Sequence, residues 1–172
     1  ECAPVAKVGG LADVVFGLCR ELQIRGHSVE VVLPKYDCMR YDQIWGLQVT
    51  YENLWVPWDG GRIRCTVWFG FVHGLKCFFI EPHSFQHFFD RGAYYGFSDE
   101  AQRFAFFSRA ALEFMWVTGK QPDVCPGQGR GRGAGGGLGQ GRHRGEAGGK
   151  IARSGKDLET RQCRHSHARG GR

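Results

Sequence analysis

A glycine pair at the mouth of an amphipathic helix, followed by a short β-branched run, restricts the possible folds of this chain more than any other feature. The segment is Lys7-Val8-Gly9-Gly10-Leu11-Ala12-Asp13-Val14-Val15. Leu11, Val14, Val15, Leu18 and Leu22 recur at the spacing of one helical face, while Arg20, Glu21, Gln23 and Arg25 lie off it and Gly26 supplies a stop. The spacing predicts a helix over 11–25. Val29 to Leu33, ended by Pro34, then suits a buried parallel strand. Turn, helix and strand make the latter part of a β-α-β unit whose first strand is expected to end just before Glu1. That strand would be central, so without it ladder groups and apolar side chains lack partners.

The turn also has chemistry. Glycines let a backbone turn tightly and approach a ligand with no Cβ in the way, and a helix start aims unpaired N–H groups and partial positive charge at the same spot. Lys7 adds a full charge, so Lys7, Gly9 and Gly10 form a candidate diphosphate cradle. Taken alone, the pattern also fits an ordinary strand-to-helix turn. Asp13, two residues beyond the glycines, suits the helix dipole better than a ligand role.

Residues 44 to 81 read as β-rich, with Leu54 to Trp58 and Ile63 to Val72 flanking the hairpin turn Asp59-Gly60-Gly61, and Leu75 to Ile80 forming another strand. Ser98 is a natural N-cap with Asp99 and Glu100 in the first turn. Phe104, Phe107, Ala111, Phe114 and Met115 are expected on one face of the helix that follows, closed by Gly119. Gln121 to Val124 are expected to begin the next parallel strand.

Several of these segments, in order, resemble one family. Glu1 to Val15 resembles the opening signature of bacterial glycogen synthases and of plant or algal starch synthases. Gly26 to Asp37 is similar to the family's next strand and loop, and Asp37-Cys38-Met39 resembles the plastid starch synthase classes III and IV. Phe79-Ile80-Glu81-Pro82, Tyr95-Gly96, Arg103-Phe104, Phe107 to Glu113 and Gly119 to Val124 follow in the family's order. The resemblance implies an α/β fold, a partial Rossmann-like N-terminal domain of a two-domain GT-B glycosyltransferase with a β-hairpin excursion. It also implies glucose transfer from ADP-glucose to the 4-hydroxyl at the non-reducing end of an α-1,4-glucan, with retention and without metal or cofactor. Lys7 and the amides around Gly9 and Gly10 would hold the donor phosphates, and Tyr95 is a candidate for the acceptor cleft. Nucleotide-binding and catalytic residues of the second domain are not present, so the chain alone is expected to be inactive.

The resemblance covers residues 1–124 and then stops. From Cys125 to Arg172 glycine and arginine dominate, with eleven basic residues against three acidic ones for a net +8, whereas residues 1–124 hold twelve against fourteen for −2. The basicity of the whole, +6, therefore says nothing about the folded part. The tail has no apolar period of 2 or 3.6 and is expected to be disordered. One reading makes it an RNA-binding arginine-glycine segment. It contains no aromatic for base stacking and begins in mid-strand, so a non-native stretch of coding sequence is the favoured reading and nucleic acid is not an expected partner.

Seven cysteines without a C-x-x-C pair suggest reduced thiols in an intracellular or stromal setting. No run is long enough to cross a membrane. The chain begins at Glu1 rather than Met and reads as a piece of something longer, so the lack of a visible leader is uninformative. A plastid location follows from the plant-like flavour of the match, with bacterial cytoplasm as the alternative.

Other constellations are weaker. His83 and His87 have the spacing of two ligands on a helical turn, but Pro82 precedes them and no third ligand follows. Cys163, His165 and His167 lack a scaffold. Phe85, Phe88, Phe89, Trp45, Trp55, Trp58 and Trp68 suit core and hairpin packing better than sugar stacking. A non-catalytic glucan- or partner-binding piece remains an alternative class. A dinucleotide-binding dehydrogenase is disfavoured, because the third glycine of G-x-G-x-x-G is missing.

Overall fold

The computed structural model describes residues 1–127. The expectation of a disordered tail falls, beyond Gly127, outside the described residues, as does the Cys163, His165 and His167 cluster.

Helix α1 spans Gly10–Ile24 and strand β1 Glu30–Pro34, within a residue of where periodicity puts them. Gly26, in the left-handed region at φ 87°, ends the helix: its N–H reaches the Gln23 carbonyl at 2.9 Å and that of His27 reaches Leu22 at 3.0 Å. Strands β2 (Trp45–Trp58), β3 (Gly61–Val72) and β4 (Leu75–His83) follow, then α2 (Glu100–Val117). They form one mixed sheet of order β1-β4-β3-β2, parallel between β1 and β4 and antiparallel elsewhere. Asp59 and Gly60 at φ 47° and 71° make the expected hairpin turn, and His73-Gly74 at 46° and 84° makes a second of the same kind.

Helices cover both faces of the sheet. Phe78 of β4 meets Phe114 of α2 at 5.2 Å between ring centroids. Cys77, its neighbour, turns to the opposite face by strand alternation, toward Cys2 and Cys19 of α1. The thiols of Cys2, Cys65 and Cys77 are buried, and burial pushes that of Cys2 up to about 11 and that of Cys65 up to about 12, so these sites are poor nucleophiles.

Four local readings need correction. The inward face of α1 is Ala12, Val15, Phe16 and Cys19, whereas Val14 and Leu18 stay exposed. On α2 the buried positions are Arg103, Phe106, Ala110 and Phe114, one step round the helix from the predicted stripe, because Phe106 packs against Trp58 and Phe88. Ser98 does not cap it. The N-cap position is Asp99, whose carboxylate is taken instead by two N–H donors of Arg91 at 2.8 Å each. Finally, Gln121 to Val124 form no strand; Val124 is 78% exposed, and no described strand lies alongside to pair with it.

Gly119 ends α2 at φ 66° with the same double hydrogen-bond pattern as Gly26, and Lys120 then reaches Glu30 at 2.7 Å, pinning the helix end at the start of β1. The far edge strand, β2, is broken by register shifts near Gly46 and Asn53, both left-handed, which blunts its open edge. Gly70 of β3 allows that strand to come close: a Cβ there would lie 2.6 Å from the Cγ2 of Ile44 and 3.3 Å from the Trp45 carbonyl.

Ile44 is buried and β-branched, so it has little room to yield. Gly70→Ala should therefore destabilise the domain by about 1 to 3 kcal/mol through overpacking, more than the entropy it saves. Urea unfolding measures this, and a more stable variant would show that the Ile44 to Leu47 segment shifts freely.

Candidate functional site

Parallel pairing of β1 with β4 sends both chains out of the sheet at the same edge, which is where open α/β sheets bind ligands. The segment from Lys35 to Ile44 leaves β1 there, and that from Ser84 to Asp99 leaves β4. Residues 1–9, which lead into α1, meet both. Arg40 donates its N–H to the Val5 carbonyl at 3.0 Å, and the Tyr94 hydroxyl lies 3.0 Å from the Cys38 carbonyl and 3.4 Å from that of Val5. Asp37 accepts the Gly92 N–H with both carboxylate oxygens, at 3.0 and 2.9 Å. The ring of Tyr36 stacks edge-on against Phe89 and Tyr94 beneath this junction.

At its surface lies the head of α1. Gly9 occupies the N-cap with extended backbone, φ −151° and ψ −167°, and Gly10 opens the helix. Neither glycine is left-handed, so the tight turn expected of them does not explain their presence. A Cβ at Gly10 would meet nothing within 4 Å, so the protein's own packing does not demand glycine there either. No side chain caps the helix. Instead the Glu1 carboxylate spans the approach: one oxygen accepts the Gly9 and Val8 N–H groups at 3.2 and 3.3 Å, the other the Tyr95 hydroxyl at 2.7 Å.

Burial alone would push the Glu1 carboxyl up, but the Tyr95 hydroxyl and the Gly9 and Val8 amides hold it below its ordinary value of 4.5. Lys7 extends from the same loop to Asp13, 2.9 Å from its Oδ1, with both side chains about half exposed. Such a pair is weak, of order 0 to 1 kcal/mol, and an anion of higher charge can displace it. Asp13 thus stands in the first turn, where it suits the dipole, and holds the lysine at the helix head.

The histidine pair expected as a weak metal candidate is divided. His83 ends β4 and its Nε2 pairs with the Thr66 hydroxyl at 2.8 Å, whereas His87 lies in the loop and pairs with Asp90 at 2.7 Å. No group of three or more metal-ligating side chains occurs among the described residues. An open groove of about 530 Å³ lined by Asp42, Gln43, Trp45, Phe71, His73 and Gly74 shares no residue with the Lys7 loop. Nor is any helix among the described residues long and apolar enough to cross a membrane.

Tyr94 lies outside the segments that carry the resemblance, and although Glu1 and Arg103 lie inside them, no motif assigns either a role. Only Arg103 left a signal, a charge at the i, i+3, i+7, i+11 spacing of Phe106, Ala110 and Phe114.

Fold and loops together define an α/β unit of Rossmann type, with three segments gathered at the C-terminal edge of its parallel strands. The chain belongs to the family of the starch synthase catalytic domain, whose model matches residues 1–127. It is 74% identical over 124 residues to glycogen synthase 2 of Methylococcus capsulatus and 66% identical over 124 residues to glycogen synthase 1 of a Synechococcus strain, in each case across 72% of this chain. It spans about a quarter of the length of these relatives, 26% and 25%. Among solved structures it is similar to the catalytic domain of starch synthase IV from Arabidopsis thaliana bound to ADP and acarbose, with a TM-score of 0.70 and 50% identity over 72% of this chain and 25% of that one.

The site makes one local prediction. Tyr95→Phe removes a hydrogen bond that favours the ionised Glu1, so the Glu1 midpoint, read from the pH dependence of the Gly9 amide resonance, should move up toward 4.5. Because the folded value is depressed, the associated stabilisation is complete above the unfolded carboxyl's value and is lost as pH falls through the folded one. An unchanged midpoint would remove Tyr95 from the network.

Proposed function

We propose that Lys7, Gly9 and Gly10 receive the diphosphate of ADP-glucose, and that the complete protein transfers glucose from this donor to the non-reducing end of an α-1,4-glucan with retention. The observation that carries the reading is an exposed ammonium and an uncapped helix start sharing one spot, with empty space where the Gly10 side chain would stand. The ADP and acarbose bound to the Arabidopsis relative support a nucleotide donor and a glucan acceptor.

The chemistry suits the geometry. As the glycosidic bond to ADP breaks, negative charge grows on the distal phosphate, and an ammonium and helix amides already in position stabilise that charge more than the ground state. Lys7 would exchange Asp13 for the phosphate. Gly10, without a Cβ, lets the oxygens reach the first-turn N–H groups. Tyr95 lies on the acceptor side of the cradle in this reading, and its hydroxyl orients Glu1.

Residues 1–124 act as part of the first of two facing domains, and residues 125–172 take no part. Nucleotide-base and catalytic groups belong to the facing domain, so this chain alone elongates no glucan. A plastid setting draws support from the plant structure at 50% identity, whereas the higher identities lie with bacterial proteins and favour the cytoplasmic alternative.

A charge-assisted hydrogen bond is worth roughly 1.5 to 3 kcal/mol. In a complete synthase carrying this segment, Lys7→Ala should lower kcat/KM for ADP-glucose about ten- to a hundredfold. Steady-state kinetics at varied donor concentration test it, and unchanged values would refute the assignment.

A further inference from the structure

Arg103 is the one charged residue that is fully buried among the described residues. Its guanidinium has a long ion pair, 4.0 Å to the half-exposed carboxylate of Glu100, which also accepts the Gly96 N–H at 2.6 Å. Nη1 donates to the Phe88 carbonyl at 3.1 Å and Nη2 to that of Tyr94, while Nε has no partner. The rings of Phe104, Phe97 and Phe89 surround it at 4.7, 5.0 and 5.8 Å. Burying a cation this way is expensive, and a well-packed apolar side chain of similar volume is often as stable or more so. Stability of the core therefore does not account for the choice of arginine.

Its two acceptors do. Phe88 and Tyr94 lie on opposite arms of the loop between β4 and α2, and only a rigid fork spans both. The second arm carries Tyr94, whose hydroxyl meets Val5 and Cys38, and Tyr95, whose hydroxyl meets Glu1. Glu1 in turn holds the Val8 and Gly9 amides. Hydrogen bonds and one backbone step thus run without interruption from the interior of α2 to the head of α1.

We infer that Arg103 is a positioning residue that, by clamping the Phe88 and Tyr94 carbonyls, sets Tyr95 and Glu1 and so fixes the direction of the Val8 and Gly9 amides. The proposed function enters only in naming what the helix head beside those amides receives. The clamp itself is a property of the free protein and is tested without ligand.

The test is ¹⁵N NMR and hydrogen exchange on the whole chain. R103M should remain folded, yet amides from Gln86 to Gly96 should exchange about ten- to a hundredfold faster, as the loss of the two hydrogen bonds to the Phe88 and Tyr94 carbonyls implies. The Val8 and Gly9 resonances should move with them. R103K should behave like R103M, because one ammonium cannot span both carbonyls. Y95F should reproduce the Gly9 displacement with the exchange of the loop and of α2 unaltered, and adding R103M to Y95F should displace Gly9 no further.

Unmoved Val8 and Gly9 resonances in folded R103M, or full rescue by R103K, would overturn the inference. If R103M does not fold, R103K decides: Val8 and Gly9 displaced supports the clamp, Val8 and Gly9 unmoved breaks it. Separately, ADP added to the parent chain at millimolar concentration should perturb Lys7 to Gly10. Its failure to do so would count against the proposed donor cradle and leave the clamp standing.

Discussion

The parallel register of β1 with β4 is the constraint on which everything else rests. Two strands that run the same way release their following segments at the same edge, and α1 begins at that edge because it returns the chain to the start of β1. Antiparallel pairing would have sent one segment to the opposite end. Lys7, Asp37 and Tyr95, far apart along the chain, share one face of the molecule for this reason alone. The hairpin of β2 and β3 widens the sheet without entering the junction, and its bulged outer strand presents little regular edge to other chains.

Given that convergence, the loops still need holding, and polar contacts to backbone do most of it. Tyr94, Asp37 and Arg103 each bind main-chain groups of another segment, so the geometry of the junction depends on carbonyl and amide positions more than on side-chain identity at the surface. The surface groups, by contrast, are lightly held. Lys7 is paired to half-exposed Asp13, and the Val8 and Gly9 amides are covered by the Glu1 carboxylate. A rigid base beneath exchangeable charged partners is the arrangement expected of a site that exchanges ligands.

Much of the fold could be read in the residues. The helix from Gly10, strand β1 and strand β3 lie close to where apolar period and turn chemistry put them, because each is decided locally by spacing, glycine and proline, whereas β2 ends as expected at Trp58 but begins at Trp45 rather than Leu54. The inward faces of the helices were less legible. On α1, alanine and cysteine point inward while Val14 and Leu18 do not; on α2, arginine does. Hydrophobicity marks which residues can be buried, and the neighbouring element selects which are. Similarly, Ser98 had the composition of a cap and Asp99 the position, but Arg91 took the carboxylate from across the loop.

By itself the sequence determined the kinds of element, their order, and the presence of a cation beside glycines at a helix start, since these depend on residues within a turn or two of one another. Tertiary structure alone decided that Asp13 holds Lys7, that Glu1 and Tyr95 close over the amides, and that a buried guanidinium stands behind them. Those contacts join residues up to 94 positions apart. No local period or motif encodes such a distance, and only the shared edge of two parallel strands brings it down to a hydrogen bond.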